Sequence, residues 1–151
     1  MLRPIAIATL VAGTLDILFA MILTSAYGRE IPDMLRYVAS GPFPGATDMG
    51  TAGAALGLVV HFILMAIMAA AYFWFANCER SAHLVDMPVR GGIAYGVLTY
   101  AIMNWVVVPL RFDTPLPPKP LSIATQLFAH IVLVGIPIAI IAARHLKERL
   151  R

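Results

Sequence analysis

Three ionisable side chains lie in the middle of long apolar stretches of this sequence: Asp16, His61 and His130. Ionisable groups inside a membrane-spanning stretch are costly, and they usually have both a partner and a role. A carboxyl group and two imidazoles can exchange protons, since histidine titrates near neutral pH. The two imidazoles could instead ligate a b-type haem from both sides, or bind another metal ion.

The stretches that carry these residues are long enough to cross a bilayer. Of the 151 residues, 60% are hydrophobic and 13% are charged, whereas about a quarter of the residues of a soluble domain are charged. A helix of about 20 apolar residues spans the hydrocarbon layer. The sequence therefore predicts an all-α polytopic membrane protein, a four-transmembrane-helix bundle that forms a single domain over residues 1–151. Its predicted spans are 4–27, 51–76, 88–110 and 121–143.

Two connections on the predicted outer side have distinct patterns. The pattern from Pro32 to Ser40 predicts a short amphipathic helix in the first outer loop, which lies at the membrane interface or folds back over the bundle. The second outer loop, Thr114 to Pro120, is rich in proline and predicts a stiff, extended segment. Polar residues before the later spans are candidate N-caps: Thr47, Asp48, Asp86 and Ser122.

The basic residues predict an orientation, because cytoplasmic segments of membrane proteins are enriched in lysine and arginine. With the N-terminus inside, the inner side carries Arg3, Arg80, Arg90, Arg144, Lys147, Arg149 and Arg151, and the outer side carries Arg29, Arg36, Arg111 and Lys119. Both termini are therefore predicted to lie in the cytoplasm. The net charge of +3 serves orientation and contact with membrane lipids. No basic patch is interleaved with aromatics, so no nucleic-acid partner is expected. Dimerisation would give so small a bundle a permeation path, so a homo-oligomer is a further expectation.

The depth of each polar side chain follows from the helix rise of 1.5 Å per residue. The three ionisable residues fall in one layer roughly 15 Å below the outer surface. Asn104 and Gln126 fall about one turn nearer the outside, while Arg111 and Asp113 are expected to form an ion pair at the outer mouth. We call these seven residues the polar column. They predict an outward-facing pocket for a ligand or a proton relay, in which Asp16 is either protonated or paired with a histidine.

The last three spans resemble the YagU-like family of uncharacterised bacterial inner-membrane proteins. The matching residues are His61 and Tyr72; Gly92, Gly96, the position of Asn104, Pro109 and Leu110; and Gln126, Phe128 and His130. This resemblance implies a location in the bacterial inner (cytoplasmic) membrane and a four-helix core. Some relatives have a histidine at the position of Asn104 and an acid at that of Gln126. For them, a metal site of three histidines and a carboxylate can be imagined, but half of that set is missing here.

Three functions are compatible with these patterns. The first is binding or transport of a small solute, ion or proton through the polar column. The second is a redox or metal-binding subunit in which His61 and His130 ligate haem b or a metal ion. Against haem, no basic residue near either histidine would pair with the propionates, and Arg111 is the nearest candidate. The third is an accessory or assembly protein, whose outer-loop helix and proline-rich loop contact a larger membrane complex.

Enzyme signatures give little support to a catalytic function. The sequence has no glycine-rich phosphate loop, no Cys-x-x-Cys pair and no His-Glu-x-x-His motif. None of its serines lies in a nucleophile-elbow pattern. Covalent catalysis and nucleotide hydrolysis are therefore not favoured, and no catalytic residue is assigned.

Overall fold

A computed structural model describes residues 1–78 and 82–149. These residues form an all-helical structure with four helices that are long and apolar enough to span a membrane, and a short helix lies between the first two. The spans are Leu2–Ala26, Gly50–Ala76, Pro88–Phe112 and Pro120–Lys147. The predicted fold class is therefore confirmed. The protein is a small multi-pass integral membrane protein, and large apolar side chains on the outside of the spans, such as Leu10, Ile22 and Ile67, contact lipid.

Eight α-helices make up the described chain, and two π-helical segments interrupt the last two spans. The α-helices are α1 (Leu2–Ala26), α2 (Ile31–Ser40), α3 (Gly50–Ala76), α4 (Ala82–Asp86), α5 (Pro88–Ile102), α6 (Val108–Phe112), α7 (Pro120–Phe128) and α8 (Ile136–Arg149). A 3-10 turn, Pro44–Asp48, precedes α3. The third span comprises α5, a π segment at Met103–Val107 and α6. The fourth comprises α7, a π segment at Ala129–Gly135 and α8.

Because successive spans alternate in direction, the bundle has two different ends. The long-loop end carries α2 and the proline-rich connection between α6 and α7. The termini end carries the start of α1, α4 and the last turns of α8. The predicted membrane type and cytoplasmic side remain predictions, and Arg80 and Arg151, which contribute to the predicted charge bias, lie outside the described residues.

The fourth span lies centrally and packs against α1, α3 and α5. The fourth span contacts α5 so closely that only glycines fit at the contact. A Cβ atom on Gly96 would lie 2.5 Å from the carbonyl oxygen of His130, and one on Gly92 would lie 2.6 Å from the Cα atom of Ile136. Small residues permit such contacts between membrane helices, where dispersion and backbone contact replace the hydrophobic driving force.

The apolar core lies in the half of the bundle nearest the termini end. Phe73, Val134 and Ile138 are fully buried there, and alanines such as Ala69 and Ala139 fill the spaces between the helices. This packing closes the centre of the bundle on that side.

Helix α2 folds back onto the bundle instead of lying free. It packs along α3, where a Cβ on Gly57 would collide with the carbonyl of Leu35. At its C-terminal end, the ring of Tyr37 stacks on Phe112 with the ring centroids 4.3 Å apart. Burial raises the pKa of the Tyr37 hydroxyl above its ordinary value.

Each π segment directly precedes a proline. Met103–Val107 stands before Pro109, and Ala129–Gly135 stands before Pro137. Proline lacks the N–H that would bond the carbonyl four residues earlier, and its ring clashes with that carbonyl. Widening the preceding turn into π register accommodates both effects, and such turns occur frequently at functional sites.

The predicted N-caps are wrong. The spans begin without side-chain capping bonds from Thr47, Asp48, Asp86 or Ser122. Proline instead opens α5 and α7, at Pro88 and Pro120, because its fixed φ suits the first turn and its missing N–H needs no partner there.

Candidate functional site: a cavity above a carboxylate–histidine cluster

Asp16 and His61 face each other across the contact between α1 and α3. The Nδ1 atom of His61 lies 4.0 Å from Oδ2 of Asp16, with 9% of the histidine side chain and 18% of the aspartate side chain exposed. The other ring nitrogen, Nε2, donates a hydrogen bond of 2.9 Å to the carbonyl oxygen of Gly13. Because a carbonyl only accepts, Nε2 carries a hydrogen and Nδ1 presents its lone pair towards Asp16 in the neutral ring.

The close approach of α3 to α1 depends on Gly13. A Cβ atom at this position would lie 2.7 Å from the ring of Phe62. A larger residue would therefore require the Phe62 ring to move or the two helices to separate. The glycine allows the close contact in which its own carbonyl accepts the hydrogen bond from His61.

The third ionisable residue of this layer, His130, lies in the second π segment. Its Nδ1 donates a hydrogen bond of 2.9 Å to the carbonyl oxygen of Gln126, which leaves the lone pair of Nε2 available. The ring packs edge-on against Tyr100 at a centroid distance of 6.0 Å. Helix α1 packs against this π segment, so His130 as well as His61 lies within electrostatic range of Asp16. The structure therefore brings together the three residues that their depth predicts to share a layer.

This arrangement suits a shared proton. Each neutral histidine has one N–H held by a backbone carbonyl and one basic nitrogen left to accept a proton. When groups interact this closely, a proton belongs to the cluster and not to one residue. We call Asp16, His61 and His130 the proton cluster.

A cavity of about 470 Å³ lies above the proton cluster, towards the long-loop end. It forms because α1 packs against the second π segment while α7 diverges from α1. The residues that line it are Ala20, Leu23, Thr24, Tyr27, Arg29, Met34, Lys119, Leu121, Ser122, Thr125 and Gln126.

The lowest lining residues stand directly over the proton cluster. Ala20 is one turn above Asp16 on α1, and Gln126 is one turn above His130 on the fourth span, about 6 Å in each case. Just below this lining, the rings of Phe19 and Phe128 pack 5.3 Å apart between the same two helices. Beyond the cluster the apolar core closes the bundle. The site is therefore open towards one end and sealed towards the other.

The remaining residues of the polar column are placed differently. Gln126 lines the cavity. Asn104 donates a hydrogen bond to the Tyr100 carbonyl of its own helix, at 3.4 Å, and is not a lining residue. Arg111 and Asp113, the predicted outer mouth, do not line the cavity either.

The expected ion pair between Arg111 and Asp113 is wrong. The guanidinium of Arg111 instead donates to the carbonyl oxygens of Gly41 and Ser40, at 2.6 and 2.7 Å. Asp113 ends α6 in the left-handed conformation, with φ of 48°. Arg111 thus fastens the C-terminal end of α2 to the third span.

Sequence reasoning missed the charged rim of the cavity. Arg29 and Lys119 are the two ionised side chains among the lining residues, and both are positive. They are 90 positions apart in the sequence, so no local pattern joins them. The sequence gives one indication that they could be close together: both are predicted to lie on the outer side of the membrane.

A bis-histidine haem does not fit this arrangement. Nε2 of His61 donates to the Gly13 carbonyl and so has no lone pair for iron, while Nδ1 faces the Asp16 carboxylate. Among residues 1–78 and 82–149, no group of three or more histidine, cysteine, aspartate or glutamate side chains is close enough to hold a metal ion.

No family model, curated protein or solved structure matches this chain. The resemblance to the YagU-like family stays a prediction.

Proposed function

We propose that this membrane protein binds a small solute in the cavity between α1 and α7 and moves protons through the proton cluster beneath it. The observation that carries the proposal is the position of Asp16, His61 and His130 in one contact layer, one turn below the floor of the cavity. An ionisable cluster at this depth favours a pathway for ions or protons.

The asymmetry of the bundle supports a carrier over an open pore. The cavity gives access from the long-loop end, and the apolar core around Phe73 and Ile138 blocks the other end. Passage to the termini end then requires the spans to move. The π segment that carries His130 is the natural place for this motion, since such turns are irregular and often functional.

The test is proton flux into proteoliposomes that contain a trapped pH dye, driven by a potassium diffusion potential. We expect Asp16→Asn to abolish the flux, because the amide cannot exchange a proton. His61→Gln and His130→Gln should each lower it at least tenfold, by analogy with loss of a positioned acid–base group.

The matched control is His145→Gln, which removes a histidine from α8 outside the proton cluster and should leave the flux unchanged. Size-exclusion profiles and helical content establish that each variant is folded. Wild-type flux no greater than that of empty liposomes, or full flux in either cluster-histidine variant, would contradict the proposal.

The accessory-protein alternative has less support. One of its two predicted contact elements is the short helix, yet the apolar side of α2 is buried against α3 of the same chain, with Leu35 and Ala39 inaccessible. Co-purification with a larger complex, together with unaltered function of the Asp16 and histidine variants, would favour that alternative.

A further inference from the structure

We infer that the solute is an amphipathic organic anion, whose carboxylate lies between Arg29 and Lys119 while its apolar body enters the cavity towards Ala20. This inference rests on the proposed function in taking the cavity as the solute site, and it adds the chemical class of the solute.

The charge of the rim favours an anion. The lining residues include two cations, Arg29 and Lys119, and no acidic residue. None of the acids at the same end lines the cavity: Asp33 pairs with Arg36, and Glu30, Asp48 and Asp113 are not lining residues. Within the part of the chain that the structure describes, neither Arg29 nor Lys119 forms a salt bridge. A carboxylate can therefore accept hydrogen bonds from both.

The interior of the cavity favours an apolar body. Most of its wall is hydrocarbon, from Ala20, Leu23, Met34 and Leu121. The hydroxyl groups of Thr24 and Thr125 are directed to backbone carbonyls of their own helices and so add little polarity. A volume of about 470 Å³ falls in the range of pockets that enclose small organic ligands. Only Gln126, on the floor, offers an amide group to a polar atom at the far end of the solute.

The arrangement separates the two ends of such a molecule. The cations stand at the long-loop end, just beyond the end of α1 and the start of α7, while the apolar lining continues towards the middle of the bundle. A free organic acid and an anionic lipid share this chemistry, an anionic head with an apolar body. The experiment distinguishes these two sources.

The test measures binding of three probes of equal length to the protein in zwitterionic nanodiscs at one pH, with empty discs as the blank. The probes are octanoate, neutral octanamide and cationic octylamine. We expect octanoate to bind at least about tenfold more tightly than octanamide, and octylamine to bind most weakly. Arg29→Gln and Lys119→Gln should each weaken octanoate binding about fivefold, the upper range for partly exposed ion pairs. The double variant should bind octanoate and octanamide alike.

The matched control is Arg144→Gln, which makes the same charge change on an exposed residue of α8 and should leave octanoate binding unaltered. Adding phosphatidylglycerol to the discs identifies the source. Loss of octanoate binding in these discs indicates that an anionic lipid occupies the site, and retained binding indicates a free acid.

Equal affinity for octanoate and octanamide in the wild type, or undiminished octanoate binding in the double variant, would overturn the inference. So would failure of all three probes to bind. If proton flux through the Asp16 cluster persists in any of these cases, the proposed function stands and only the chemical class of the solute is wrong. If the flux also fails, both are wrong.

Discussion

The two halves of this bundle are held together by different interactions. Near the termini end, close contacts between alanines, glycines and a few large side chains such as Phe73 leave the centre sealed. Near the long-loop end, directed hydrogen bonds and ring stacking hold α2 in place, and the divergence of α7 from α1 leaves a cavity. The proton cluster lies at the boundary. If the proposed function holds, solute enters the loosely packed half and protons cross the tightly packed one.

The largest expected loss of stability comes from removing a fully buried side chain from the core near the termini end. Phe73→Ala deletes a ring that is 0% exposed, and we expect it to lower the free energy of unfolding by about 3 kcal/mol, since the surrounding helices cannot collapse fully into the space. Leu23→Ala, in the wall of the existing cavity, should lower it by about 1 kcal/mol or less. Unfolding by titration with a denaturing detergent measures both. Equal losses for the two variants would remove the distinction between the halves.

A smaller and local effect is expected at the long-loop end. Arg111→Gln removes two charge-assisted hydrogen bonds to the end of α2, so amide hydrogen exchange in α2 should become about tenfold faster. Exchange in α8 should stay as it is in the wild type. Arg144→Gln is the control for the loss of charge. A change spread evenly over both helices would mean that the two halves are not held independently.

Much of this structure follows from the sequence by simple periodicity. Hydropathy locates the spans because lipid forces each one to be long, apolar and helical. Helix rise then places Asp16, His61 and His130 at one depth, and their contact follows because polar side chains turn towards the interior of the bundle. The glycines on α5 mark the tight contact with the fourth span for a similar reason, since only small residues allow it.

The features that were missed depend on contacts between distant segments. Arg111 stands beside Asp113 in the sequence, yet it binds carbonyls 70 and 71 positions away because α2 folds back over the bundle. The cavity exists because two spans diverge, and a single sequence does not specify the angle between helices. The π segments could have been predicted from the sequence, because Pro109 and Pro137 each disturb the helical turn that precedes them.

If Asp16, His61 and His130 form one protonation unit, nitrogen NMR of protein with labelled histidines should detect it. In the neutral protein, His61 should carry its hydrogen on Nε2 and His130 on Nδ1, as their carbonyl bonds require. Asp16→Asn should change the nitrogen chemical shifts of His61 and His130 and leave those of His145, which lies outside the proton cluster, unaltered. Nitrogen chemical shifts of His61 and His130 that do not respond to Asp16→Asn, or a neutral His130 that carries its hydrogen on Nε2 as histidine in water mostly does, would contradict this arrangement.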